Sequence, residues 1–131
     1  MRLQEAQEAI AWVKSSFKPS SPRKRDGTST FETTIRVLAG LLSVFHLLDG
    51  DQDMLAAAIE TGLRLLAAFT TLDGVPHNIV DLTELQGSDA LWTRDISLSE
   101  ATTLSLEFGY FARVSDQPRH ADSDLSIAAL P

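Results

Sequence analysis

The chain contains no cysteine. A disulfide framework and a thiolate metal site are therefore both excluded, and nothing reports the redox compartment. No apolar run approaches the ~20 residues that a bilayer-spanning helix needs. Met1 is followed by Arg-Leu-Gln-Glu rather than by a basic patch and an apolar core, so the stretch does not read as an export signal. Basic charge is also scarce, with 11 Lys and Arg against 18 Asp and Glu for a net charge of -7. That balance argues against a phosphate backbone as the main partner and excludes nucleic acid as the expected ligand.

What remains is a chain of 131 residues, 44% hydrophobic, long enough for one domain with a core. Its apolar residues recur with helical spacing. Leu3, Ala6, Ile10, Val13 and Phe17 lie on one face of a first helix. "KPSSPRKRDGTST" then interrupts the pattern with two prolines, a glycine and four basic side chains, and residues 18–28 are expected to form an exposed, mobile basic loop. A second helix is expected from Thr30 to Leu48, apolar around most of its circumference. "DGDQD" at residues 49–53 is turn chemistry: Gly50 is suited to positive φ, and Asp51 or Asp53 to capping the next helix. The same five residues lack the downstream bidentate glutamate of a calcium loop.

Leu55, Ile59, Gly62, Leu66 and Phe69 carry a third helix, and Leu104, Phe108 and Phe111 a fourth from Leu98 to Val114. Residues 70–97 show no clear period and read as an unusually long connection. The short link at 49–53 forces antiparallel neighbours, so the predicted class is all-α, built from antiparallel helical hairpins. Among the histidines, His46 in "VFHLL" reads as a core or hairpin-end residue. His77 and His120 have no partner at metal-ligand spacing, which argues against zinc.

Two polar signatures stand out at helix starts. Ser29-x-x-Glu32 and Ser97-x-x-Glu100 both fit the capping box, and Arg36 adds an ion pair at i+4 from Glu32. This structural reading accounts for the residue types. A functional one competes with it. If consecutive helices alternate in direction, the second and fourth run parallel, and Glu32, Arg36 and Glu100 gather near one end of the layer under the long connection. Paired carboxylates beside a guanidinium are what glycosidic bond cleavage requires. Glu107 and Trp92 are further residues for the wall of such a pocket, or equally for the surface and the core.

"FETTIRVLAGLLSVFHLLDGD", "LAAFTTLDGVPHNIV" and "WTRDISLSEATTLSLEFGYFARVSDQP" resemble, in order, the motifs of class I α-1,2-mannosidases of glycoside hydrolase family 47, with spacing similar to the endoplasmic reticulum branch. The resemblance runs from about Leu3 to Pro118. It implies a barrel of seven helical hairpins of which this chain, residues 1–131, comprises about two, and inverting removal of terminal α-1,2-linked mannose from N-linked high-mannose glycans. It implies Glu32 as the acid for the leaving oxygen, with Arg36 and Glu100 as sugar-binding residues. It also implies a calcium ion whose ligand segment is absent from this chain, and a place in the endoplasmic reticulum or Golgi.

An inverting enzyme needs one carboxyl to protonate the departing oxygen and a second, about 6.5–9.5 Å away, to activate water. The family's other acidic residues lie in segments this chain does not contain, so the chain alone is expected to be inactive. It also departs from the family pattern in its basic loop, at Asp81 where asparagine is usual, and at Gly109 where a basic residue is common. An incomplete barrel leaves apolar faces bare, and self-association is the expected result. The alternative function is a noncatalytic helical-hairpin module that binds a protein partner, its glutamates serving only as caps.

Overall fold

A computed structural model describes residues 3–20, 27–89 and 97–115. Trp92, His120 and most of the basic loop fall outside the described residues.

Helix α1 spans Leu3–Ser16. Its face carrying Ile10 and Val13, continued by Phe17, packs on the core, as the spacing predicts. Trp12 stays half-exposed, its ring tilted against Phe17 at 6.2 Å. The helix is anchored electrostatically as well: Lys14 Nζ lies 2.6 Å from Asp51 Oδ2 and 3.3 Å from Asp53 Oδ2.

The second helix begins as predicted at Thr30 and is wound in three ways. A single α-turn, α2 (Thr30–Glu32), leads into a π-helical segment (Thr33–Leu38) and then α3 (Ala39–Leu47). The π winding has a local cause. The Thr30 carbonyl accepts both the Thr33 N–H and, at 2.8 Å, the Thr34 hydroxyl. The hydroxyl competes with the backbone for that acceptor, and the ladder slips to longer closure. Ala39 N–H accordingly donates to Thr34 O, five residues back.

Asp49 and Gly50 reverse the chain with φ of 51° and 90°. Asp51 then caps α4 (Gln52–Leu65), accepting from the amides of Asp53 and Met54 at 3.1 and 3.2 Å. A 3-10 turn, Leu66–Phe69, extends that helix. Helix α5 (Leu98–Ser115) packs on α4 and on the π segment. The core lies between these helices. Phe108 stands at its centre, 1% exposed, in edge-to-face contact with Phe69 at 5.2 Å and Phe111 at 6.2 Å. Leu38, Leu65 and Leu104 close around it.

The expectation of helical hairpins therefore holds. One feature was not expected: part of the 70–97 connection folds into a small antiparallel sheet. Strands β1 (Thr28–Ser29), β2 (Ile79–Asp81) and β3 (Gln86–Ser88) lie in that order, with Ser29 opposite Ile79 and Val80 opposite Gly87. Strands of two or three residues are too short to show a period of two. Val80 points into the core and is fully buried. The connecting turn is held by Asp81, whose Oδ1 accepts from the amides of Thr83 and Glu84 at 2.7 and 2.9 Å. Arg64 of α4 donates to Leu82 O at 2.8 Å and ties the hairpin to the helices. At the two ends of the expected loop, Pro19 is buried and Thr28 belongs to β1.

Candidate functional site

Ser29 is both the last residue of β1 and the N-cap of α2. Its extended backbone, φ -64° and ψ 124°, ends the strand, and its Oγ accepts the Glu32 N–H at 3.2 Å. This is half of a capping box. Among the described residues the reciprocal half is not formed, because the Glu32 carboxylate turns along the helix to Arg36 and takes a hydrogen bond from its Nε. The pair is open to solvent, with 47% of the Glu32 side chain and 73% of Arg36 exposed. The bond to Glu32 raises the affinity of Arg36 for its proton, so the guanidinium stays charged. A general acid is ordinarily sheltered from water, and the described residues leave this carboxylate half-covered.

Glu100 sits in the first turn of α5 and completes the capping box that Glu32 does not. Ser97 Oγ accepts the Glu100 N–H at 3.2 Å, while Glu100 Oε2 accepts the Ser97 N–H at 3.2 Å and its hydroxyl at 3.0 Å. The structure thus joins Glu32 directly to Arg36 and holds Glu100 through Ser97. The helices that carry them are neighbours, since α2 packs on α5. A second contact links them further along: Tyr110 Oη and His46 Nδ1 are 3.2 Å apart, with the rings edge-to-face. His46 is exposed and lies at the hairpin end of α3.

Beneath the helix start lies a layer of buried threonines that residue type alone did not single out. Thr30 and Thr34 are fully buried, and Thr33 nearly so. Thr30 Oγ1 donates to His77 O at 2.7 Å, and the Thr30 N–H to Asn78 O at 3.0 Å. Thr28 and Thr33 share a hydrogen bond of 3.1 Å between their hydroxyls. The visible sign was a run of threonines on a helix too apolar to be a surface helix. Their partners, 47 residues away, were not readable from it. Glu107, on α5, has one carboxylate oxygen fully covered with no hydrogen-bond partner among the described residues. No group of three or more His, Asp or Glu side chains among the described residues could hold a metal ion. These residues do not fit the calcium that the family resemblance implies.

A family model described as glycosyl hydrolase family 47 matches residues 1–128. The endoplasmic reticulum mannosyl-oligosaccharide 1,2-α-mannosidase of Rattus norvegicus is 37% identical over 112 residues, covering 86% of this chain and 16% of that protein. Mannosyl-oligosaccharide 1,2-α-mannosidase IA of Sus scrofa is 32% identical over 125 residues, 94% of this chain and 18% of the relative. Among solved structures, an α-1,2-mannosidase from Trichoderma reesei superposes with a TM-score of 0.77 at 26% identity, across 94% of this chain and 27% of that one. The chain therefore spans less than a third of the length of these relatives. Matched almost end to end by the family model, and folded like the corresponding part of a solved member, it belongs to glycosyl hydrolase family 47 and forms a segment of that family's α/α barrel.

Proposed function

We propose that this chain supplies part of the sugar site of a mannosyl-oligosaccharide 1,2-α-mannosidase, a glycosidase that hydrolyses terminal α-1,2-linked mannose on high-mannose N-glycans with inversion. The observation that carries the reading is the direct pairing of Glu32 with Arg36 at the start of a clamped helix, within a segment 37% identical to a rat enzyme of that name. Glu32 is the acid that protonates the departing oxygen. Arg36, permanently charged and forked, holds the carboxylate in place and presents its remaining donors to sugar hydroxyls. Glu100 binds a hydroxyl through Oε1, which takes part in neither capping bond.

The arrangement supports this division of labour. Contacts of α2 with α5 and of His46 with Tyr110 fit two helices that run in parallel, which brings their starting turns to one end of the layer. The small sheet leads straight into the first of those turns. Inversion also needs a base acting on water. No described residue is assigned that role, and this chain alone is proposed to bind mannosides rather than to turn them over. Calcium enters only through family membership, and no step here depends on it. A setting in the endoplasmic reticulum or Golgi follows from the names of the relatives and from the substrate.

The test is amide hydrogen exchange with and without α-1,2-mannobiose. Sugar should protect residues around Glu32 in the parent chain, and the protection should vanish in Glu32→Gln and Arg36→Ala without loss of fold. Identical exchange with and without sugar, in a folded parent, contradicts the reading and leaves the glutamates as caps.

A further inference from the structure

A helix start is ordinarily its least fixed part, since the first N–H groups have no intrahelical acceptor. The turn that carries Glu32 is built otherwise. Thr30 is fully buried and binds away from its own helix with both of its donors, the hydroxyl to His77 O at 2.7 Å and the amide to Asn78 O at 3.0 Å. Its carbonyl in turn receives the Thr34 hydroxyl at 2.8 Å. One residue thus links the strand segment, the first turn and the π segment.

The far end of this link is itself held. His77 N–H donates to Ala68 O at 2.8 Å, and its ring Nδ1 lies 3.0 Å from Asp89 Oδ1. The ring packs so closely over Gly87 that a Cβ there would collide with it, and the same Cβ would lie 3.1 Å from Ala67 O. The acceptors offered to Thr30 therefore sit on a segment pinned from both sides. Two residues after Thr30 comes Glu32, whose amide is tied to Ser29 and whose carboxylate is tied to Arg36.

We propose that Thr30 is a positioning residue for Glu32: its hydroxyl fixes the first helical turn to the His77 carbonyl and so sets where the Glu32 and Arg36 pair stands relative to bound sugar. The proposal rests on the reading of Glu32 as the acid. Tolerances at such a site are tight, because a displacement of about 1 Å is enough to weaken the interactions of a reacting group. A threonine that merely satisfies its own buried hydroxyl would have no such local consequence.

The experiment compares the full chain with Thr30→Val, which keeps the branched shape and removes the donor, and with Thr30→Ser, which keeps the donor. Amide exchange is measured at Glu32 and Thr33 and, as a reference, at Ala58 in the middle of α4. Losing one hydrogen bond should speed exchange at Glu32 and Thr33 by about three- to tenfold over the Ala58 reference. The dissociation constant for α-1,2-mannobiose should rise by a similar factor of about three to ten. Thr30→Ser should restore both. Equal acceleration at Ala58, or unchanged exchange at Glu32, overturns the proposal by making Thr30 an ordinary core residue. Two sugar results separate the claims. A parent chain indifferent to mannobiose overturns the reading of Glu32, on which the role of Thr30 depends. A parent that responds, with Thr30→Val responding equally, overturns Thr30 alone.

Discussion

Gly40 and Gly62 lie on the two helices of one hairpin, and the packing makes opposite demands of them. A Cβ at Gly62 would stand 2.5 Å from Phe111 Cζ, where α4 and α5 approach closely. Phe111 is fully buried and cannot swing aside. Gly62→Ala should therefore overpack the core and destabilise the chain by about 1–3 kcal/mol. At Gly40, in α3, nothing lies within 4 Å of the added carbon. Gly40→Ala should stabilise by about 0.5–1 kcal/mol, because alanine loses less backbone freedom in a helix. Urea melts of the two variants check both signs at once. Similar shifts in one direction would mean that helix propensity, not the contact with Phe111, governs these sites.

At the scale of elements, α1 is joined to the start of α4 by Lys14, Asp51 and Asp53. The hydrogen bond from Lys14, then the amide of Met54, holds the Asp51 carboxyl below its ordinary value of 3.8. The bond to Asp51 in turn raises Lys14 above 10.5. The signs follow from linkage. The depressed carboxyl contributes stability that is present above pH 3.8 and lost as pH falls through its lower folded value. The raised ammonium contributes stability that is present below pH 10.5 and lost as pH rises past its higher folded value. Amide exchange in α1 should stay slow between these limits, once corrected for intrinsic rates, and should accelerate beyond each before α4 opens. Lys14→Ala should remove both transitions. An α1 that loosens at the same pH as α4 would show that Ile10, Val13 and Phe17, not the ion pair, hold it in place.

Elements were also the level at which the sequence was most unevenly readable. Helices came through because their period of 3.6 runs over fourteen or more residues in α1, α4 and α5. A carboxylate cap after the glycine turn was legible, with Asp51 and Asp53 both open, and the fold selects Asp51. The sheet was not, since Ile79–Asp81 and Gln86–Ser88 are three residues each, and the third strand, Thr28–Ser29, pairs with Ile79–Asp81 from about fifty residues earlier. The π segment was hidden for another reason. Thr33, Thr34, Ile35 and Arg36 keep a helical pattern whichever way the ladder closes. At the site, the pairing of Glu32 with Arg36 could be foreseen from spacing, but the choice of Arg36 over the reciprocal cap could not. Thr30 escaped notice because its role depends on carbonyls contributed by a distant segment.

For the molecule as a whole, the balance to decide is between apolar exposure and charge. Leu47, Leu98 and Leu106 are 77%, 66% and 76% exposed, and Leu63 and Trp12 add to them. Covering apolar surface is favourable by about 25 cal/mol per Å2, so a contact that hides several of these side chains contributes several kcal/mol. A net charge of -7 opposes it. That repulsion is long-ranged only at low ionic strength, because the screening length falls to about 8 Å at 0.15 M salt. The apolar term should win once salt is present. Sedimentation velocity is expected to show a monomer at low salt and micromolar concentration, and dimers or larger species as salt or concentration rises. Leu98→Asp together with Leu106→Asp should return the chain to monomer while leaving its helical circular dichroism unchanged, since both side chains face solvent. A single monomer boundary for the parent at high salt and high concentration would mean that these leucines are too scattered to form a patch, and that self-association is not a property of this chain.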